Sequence, residues 1–321
     1  MERDARPTLA ITIGDPAGIG PEVSIRAVRE ASVRAICQPV LVGDRIVLES
    51  IATRLGLSLD GLTVEDTGFL THVPPLAEAS AECGGASYAA IIRAIDGALA
   101  GRFHGVVTAP INKVSLKKAG IDFPGHTEIF GERTAAPHFA MLMYSERLAV
   151  GLVTCHQSLT SVPGSLSTKR IVEVGRLLAE SVSKIRGRAP RVAVLGLNPH
   201  AGESGLFGDE EARYVEPAIA QLRAEGWDVD GPLPPDTAFT PAALRRYGAH
   251  LCLYHDQGLI PFKMISFDDG VNVTMGLPFV RTSVDHGTAF DIAGKGIAQT
   301  GSMVEAIHLA AKLSNGRGSA E

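Results

Sequence analysis

The sequence predicts an α/β fold with much parallel strand pairing, and three observations carry that expectation. Short apolar runs alternate with amphipathic stretches along the chain, as βα units require. Polar motifs repeatedly begin where an apolar run stops: GDPAGIG after LAITI, TAPINK after GVV, CHQSL after LAVGLV, NPHAGE after RVAVLGL and HDQG after LCLY. Ligands of open α/β sheets bind beyond the carboxyl ends of the strands, so this placement also points to a site. The 321 residues exceed one small core and suit about two domains.

Residues 9–14 (LAITIG) read as a buried strand, and PEVSIRAVREAS, from Pro21, as a helix with proline in its first turn. A strand over 39–44 (PVLVGD) and a helix over RIVLESIATRLGL follow. The stretch ASYAAIIRAIDGALAG reads as a helix ending at Gly101, and 105–110 (GVVTAP) as a strand. The runs HFAMLMYSE and LAVGLVT are expected as adjacent strands, the second ending at Cys155–His156. A helix over STKRIVEVGRLLAESVSKI precedes a strand at 191–197, and EEARYVEPAIAQLRAEG reads as a further helix. A strand covers 250–256 (HLCLYHD), and the last helix starts near Ser302 with MVEAIHLAAKL. The tail SNGRGSAE is expected to be loose.

Composition excludes several classes. Apolar residues are 45% and charged residues 20% of the chain, the balance of a soluble globular protein. A net charge of −5 without a basic block gives no footprint for nucleic acid. MERDARPTLAITIG lacks the apolar core of a signal peptide, and no uninterrupted apolar stretch of about 18 residues is long enough to span a membrane. Cys37, Cys83, Cys155 and Cys252 are too scattered for a disulfide framework, so a reducing, cytoplasmic setting is expected. Cys155 stands beside His156, which leaves a metal or redox role open next to that of a buried thiol.

Four groups of residues could carry chemistry. His156, His200 and His255 each follow a predicted strand. Three imidazoles would suit a borderline divalent cation such as zinc, with Asp256, Gln257 and Glu203 as neighbouring acceptors, whereas three unrelated backbone-bonded histidines would leave the same pattern. The motif GHTE, residues 125–128, could begin a helix whose N–H groups face an anion, and Lys263, Asn272 and Arg281 could add donors. A capping box with solvated charges is the alternative. GDPAGIGPE, residues 14–22, is a glycine-rich turn matching neither GxGxxG nor a P-loop, so it is either a phosphate or ribose seat or a plain tight turn. Asp236 lies in the proline-stiffened loop GPLPPDTAF, which suits placement of a carboxylate or a helix cap before TPAAL. From Gly270 to Ala298 the chain is dense in polar and glycine residues, and HGTAFDIAGKGIA has no long apolar face, as expected of a loop that serves a site.

Together these segments resemble the 4-hydroxythreonine-4-phosphate dehydrogenase family, which includes relatives acting on D-threonate or D-erythronate 4-phosphate. TIGDPAGIGPE, TAPINK, PGHTE, NPHAGESGLFGDEE, GPLPPDT, YHDQGLIPFK and NVTMGLPFVRTSVDHGT carry the resemblance, in family order and over almost the full length. The first segment and HGTAFDIAGKGIA also resemble the GDGIGPE and HGxAxDIAGKGxA motifs of isocitrate and isopropylmalate dehydrogenases.

The resemblance implies their two-lobed α/β/α fold with a cleft between lobes, residues 1–125 and 265–321 forming a cofactor-side domain and 126–264 a metal and dimerisation domain. It implies NAD or NADP held by loops, with Gly14, Asp15, Gly18, Gly20, His286, Gly287, Thr288, Asp291 and Gly294 at cofactor-binding positions. His156, His200 and His255 match metal-ligand positions for one divalent cation, zinc foremost, with magnesium, cobalt or manganese as alternatives. His126, Thr127, Lys263, Asn272 and Arg281 match substrate positions, the last three at the phosphate end, and Asp236 matches an aspartate near the substrate and is the candidate catalytic base. A homodimer with its site at the subunit interface is expected.

The implied reaction is oxidation of 4-phosphohydroxy-L-threonine at C3, with decarboxylation to 3-amino-2-oxopropyl phosphate, in pyridoxal phosphate synthesis. TAPINK departs from the TGPxHK-like sequence of the pyridoxine enzymes and looks more like the sugar-acid phosphate branch. A dihydrodiol-oxidising branch is a further alternative. Outside the family, a two-lobed binding protein, a zinc hydrolase and an acyl-phosphate transferase remain as other classes.

Overall fold

The computed structural model describes residues 6–315. They form two compact units, one running to Pro137 and resuming at Leu277, the other covering His138–Gly276. The units divide at 137/138 and 276/277, where the sequence reading expects 125/126 and 264/265. The helix that His126 opens therefore belongs to the first unit.

Among the described residues the strands are β1 (Thr8–Thr12), β2 (Gln38–Gly43), β3 (Thr63–Asp66), β4 (Gly105–Thr108), β5 (Ala140–Tyr144), β6 (Ala149–Leu152), β7 (Val192–Leu195), β8 (Val229–Leu233), β9 (Ala249–Cys252), β10 (Val271–Met275) and β11 (Val280–Val284). In the first unit the order is β3-β2-β1-β4-β11, all parallel. In the second it is β10-β5-β6-β9-β7-β8, with β10–β5 and β5–β6 antiparallel and the rest parallel.

The central strands are buried along their length, β4 and β9 at every residue, because helices cover them. In the first unit the helix Ala81–Leu99 buries Cys83, Ala86, Ser87, Ala90, Ile91, Ala94, Ile95 and Ala98, the i, i+3, i+4 stripe of a core-facing helix. Ser80 caps it, accepting from Cys83 N at 3.1 Å. Truncating Ile91, which has no exposed surface, to alanine would cost about 2–5 kcal/mol. In the second unit Thr168–Arg186 plays the same part, capped by Ser167 and ended by left-handed Gly187. No helix among the described residues is long and apolar enough to cross a membrane.

Three differences from the sequence reading matter for the site. First, β9 stops at Cys252 rather than running to Asp256, and His255 opens a helix, His255–Ile265. Gln257 is the cause: its Oε1 accepts from Leu253 N at 2.7 Å and its Nε2 donates to Gly196 O at 2.7 Å. Second, the helix expected over EEARYVEP begins as a π turn, Glu211–Val215, before Glu216–Ala224, since Pro217 has no N–H to continue an α ladder. Third, the first half of the 270–298 run makes β10 and β11, whose alternating side chains suit a strand despite their polarity. Only the remainder is irregular. The loose tail expected from SNGRGSAE lies outside the described residues, except Ser314 and Asn315, which close the helix Gly301–Asn315.

Candidate active site

The GDPAGIG turn leaves β1 packed against its own unit. Gly14 is left-handed, and a Cβ there would lie 2.3 Å from Pro110 O. One at Gly20 would lie 2.2 Å from Ile13 O, and one at Gly18 2.9 Å from Thr288 O. Asp15 is fully buried, its Oδ1 accepting from Ala17 N at 2.9 Å. Burial raises the Asp15 carboxyl, against the lowering effect of the Ala17 N–H. These close approaches fit the tight-turn reading: the glycines admit neighbouring backbone.

The irregular segment after β11 is tied to the same place. Ile19 N donates to Thr288 O at 3.0 Å. Glu22, fully buried, accepts from Ala298 N at 3.2 Å and from Gly296 N at 3.4 Å, while Arg26 donates to Ala298 O at 2.7 Å. His286 Nδ1 lies 3.1 Å from Gly287 O. Gly287 and Asp291 are exposed, and a Cβ on Gly287 would meet nothing within 4 Å. Gly294 is left-handed beside Leu76. Sequence reasoning missed Glu22 and Arg26. Their i, i+4 spacing just after the glycine turn is the signal that could have found them.

Half-buried His126 and buried Arg281 lie close enough to interact in the first unit. Arg281, on β11, is 2% exposed, and its guanidinium lies over the Phe130 ring at 5.4 Å and donates to Thr108 Oγ1 at 2.6 Å. Burial pulls its pKa down to about 9, with Glu128 opposing. His126 Nε2 is shielded from solvent without a hydrogen-bond partner among the described residues. Burial, then the Arg281 charge, holds this imidazole well below 6.5, so it is neutral. His126 opens the helix His126–Arg133, which no side chain caps, so the capping-box alternative for GHTE is not made. Thr127 is buried in the same first turn. In the second unit, Asn272 on β10 has a shielded Oδ1 without a hydrogen-bond partner among the described residues, and the Lys263 ammonium lies 5.6 Å from the Phe267 ring. Lys263 sits about two turns beyond His255 on one helix.

The metal candidates lie in the second unit. Ligand atoms of Cys155, His156 and His255 are all within 4.8 Å of one another, the two imidazole centroids being 5.9 Å apart. They line a cavity of about 490 Å³ together with Gln157, Ser158, Leu159, Val162, Tyr254 and Asp256. Asp256 Oδ1 accepts from His255 Nδ1 at 2.6 Å. A carboxylate there fixes the proton on Nδ1 and leaves the Nε2 lone pair for a cation. Imidazole and thiol donors fit a borderline ion such as zinc better than a hard one.

His200 is not in that group. It is exposed, its ring 6.1 Å from that of Phe207. The backbone from His200 to Ser204 is left-handed, with φ of 52°, 53°, 80°, 41° and 58°. Four of these residues are not glycine, and each costs about 1–2 kcal/mol in that conformation. Glu211, 3% exposed, sits inside the turn. Asp236 is exposed in its loop, and Thr240 rather than Asp236 caps the following helix. His250 is a core histidine, its Nε2 bonded to Ala238 O at 2.9 Å and its ring stacked on Phe239 at 4.8 Å, while its Nδ1 is buried without a hydrogen-bond partner among the described residues.

Comparison with known proteins identifies the family of the chain. The family model described as pyridoxal phosphate biosynthetic protein PdxA matches residues 35–310. A 4-hydroxythreonine-4-phosphate dehydrogenase of Desulfosudis oleivorans is 48% identical over 95% of each chain. A D-threonate 4-phosphate dehydrogenase of Salmonella typhimurium is 42% identical, over 95% of this chain and 98% of its own. The crystal structure of 4-hydroxythreonine-4-phosphate dehydrogenase from Klebsiella pneumoniae matches with a TM-score of 0.85 and 40% identity, over 97% of this chain and 98% of that one. A beta-decarboxylating dehydrogenase from Thermococcus kodakarensis, 15% identical with a TM-score of 0.50 over 97% of this chain and 82% of its own, shares the fold alone. The α/β dehydrogenase-type fold expected from the sequence is thereby borne out. The chain belongs to the family of the pyridoxal phosphate biosynthetic protein PdxA.

Proposed function

We propose that this chain is an NAD(P)-linked, metal-dependent dehydrogenase. It oxidises 4-phosphohydroxy-L-threonine at C3, and the resulting 2-amino-3-oxo-4-phosphobutanoate loses CO₂ to give 3-amino-2-oxopropyl phosphate. The observation that carries the reading is the strand-end group of His156 and His255, with Asp256 orienting His255 at 2.6 Å. The relatives named above support the activity.

When bound, the nicotinamide accepts hydride and the cation lowers the pKa of the reacting hydroxyl. The chain's own residues bind and orient. His156 and His255 hold the cation, zinc best by donor type, and His200 completes the set. Arg281 and neutral His126, with Thr127, Lys263 and Asn272, anchor the phosphate. A buried guanidinium is a strong, fixed donor fork for it. Asp236, exposed on its stiff loop, takes the hydroxyl proton. The segment of His286, Gly287, Thr288, Asp291 and Gly294 seats the dinucleotide, with Gly287 open to close approach, and the packed turn of Gly14, Asp15, Gly18 and Gly20 supports that segment through the approach of Gly18 to Thr288.

The working form is a homodimer whose two chains both contribute to each site. Separation of His200 from the other two histidines fits that reading, as do exposed Ile260 and Met264 on the site helix and Phe267 just after it, Met264 being 82% exposed. Unpaired Cys37, Cys83, Cys155 and Cys252 suit the cytoplasm.

A second reading is oxidation of D-threonate or D-erythronate 4-phosphate. TAPINK favours it, as does the D-threonate relative. Steady-state rates with 4-phosphohydroxy-L-threonine, D-threonate 4-phosphate and D-erythronate 4-phosphate, each with NAD and NADP, decide between them. The first reading expects kcat/KM highest for the amino acid. A clear preference for a sugar acid replaces it with the second, and no reduction with any of them removes both.

A further inference from the structure

We propose that Glu211 is a positioning residue for His200: its buried carboxylate sets the left-handed turn that presents this imidazole. The inference rests on the reading of His200 as a metal ligand.

The chain leaves β7 at Leu195 and enters the left-handed stretch at His200. Glu211 meets the segment between them. Its Oε1 accepts from Leu197 N and from Asn198 N, both at 2.8 Å, and its Oε2 accepts from the Asn198 side-chain amide at 3.0 Å. Glu210 holds the same amide at 2.8 Å. A buried carboxylate is tolerated only where N–H groups satisfy it, so these bonds fix the residues on which the turn starts.

The turn also wraps the carboxylate. A Cβ on Gly202 would lie 2.7 Å from Oε2, and one on Gly196 3.0 Å from Oε1. Ala201 N to Asn198 O, at 3.1 Å, and Phe207 N to Gly202 O, at 3.2 Å, close the backbone around it. His200, Ala201, Glu203 and Ser204 would not adopt left-handed φ unaided, and such strain persists where its surroundings over-determine it. His200 itself is exposed, so its own packing does not supply the constraint. What the strain achieves is an accessible imidazole held on a rigid, inward-anchored loop. Nothing in the sequence spacing announces Glu211, which lies one turn beyond the loop it controls.

The experiment compares the parent protein with Glu211→Gln, Gly202→Ala and His200→Ala. Each is stripped of metal and titrated with Zn²⁺ against a chromophoric chelator. Far-UV circular dichroism checks folding, and amide hydrogen exchange follows residues 197–207. Glutamine keeps the size of Glu211 but sets an NH₂ against N–H donors. The expected result is a 10–100-fold loss of Zn²⁺ affinity in Glu211→Gln, with dichroism retained and exchange faster in the turn. Gly202→Ala, which presses on the same carboxylate from the other side, shifts affinity the same way and serves if Glu211→Gln does not fold. Folded variants that bind Zn²⁺ like the parent, while His200→Ala has lost affinity, overturn the role of Glu211 alone. Parent-like affinity in His200→Ala overturns the ligand reading of His200, and the inference with it.

Discussion

Gly20 and Gly287 sit in two glycine-rich segments, yet an added methyl group meets opposite surroundings. A Cβ on Gly20 would lie 2.2 Å from Ile13 O and 3.3 Å from Ala109 Cβ. Even a weak C–H···O contact keeps carbon and oxygen about 3.3 Å apart, so the backbone must move by about 1 Å. Residues 9–20 are all buried, the turn included, which leaves no slack in a close-packed interior. Gly20→Ala therefore falls at the upper end of overpacking costs, about 3 kcal/mol, which lowers Tm by roughly 6 °C or more. Gly287→Ala meets nothing within 4 Å and carries no left-handed φ, so its stability stays within about 0.5 kcal/mol of the parent. Its effect is on the cofactor: the methyl occupies the approach to the loop and raises KM for NAD. Urea unfolding of both variants and an NAD titration of Gly287→Ala make the assay. Parent-like stability in Gly20→Ala, or unchanged NAD binding with lost stability in Gly287→Ala, would refute the assignment of the first glycine to packing and the second to ligand.

Three further outcomes follow from the geometry. Asp256→Ala frees His255 Nδ1; the pair is 70% and 40% exposed, so solvent screening puts the loss of Zn²⁺ affinity near the low end, about tenfold, and competition titration showing no loss would count against the orienting role. Inorganic phosphate raises the Tm of the parent, equivalent to about 2.7 kcal/mol at a hundredfold excess over Kd, and thermal scans of Arg281→Met show no such rise if Arg281 is the anchor. His250 is held down to about 4 by burial, against the Ala238 hydrogen bond. The unfolded chain then binds a proton below 6.5 that the folded chain refuses until about pH 4. Stability falls across that window as pH drops, by about 3 kcal/mol in all, and a flatter pH profile in folded His250→Gln checks it.

The parts of the fold legible in sequence were those where physics writes a local pattern. LAITIG and GVVTAP are apolar runs that stop at abrupt polar motifs, and both form central strands. β3 and β8 gave no such run: their residues are largely half-buried or exposed, and β8 carries Gly231 and Pro232, which read as turn. β10 and β11 were hidden because Asn272, Arg281, Thr282 and Ser283 are polar residues on strands whose burial comes from tertiary packing. At the site, His156, His255 and Asp256 were legible as neighbours of strand ends. The left-handed turn was not, since His200, Ala201, Glu203 and Ser204 carry no glycine signal for positive φ, and Glu211 acts through space.

That the strand-end histidines hold a metal is the central proposal, and one variant tests it most directly. His255→Ala, purified beside the parent, is assayed for bound metal by elemental analysis and for NAD(P) reduction with 4-phosphohydroxy-L-threonine. The folded variant is expected to lose both its metal and its turnover. A folded His255→Ala protein with full metal content and parent-like turnover would contradict it.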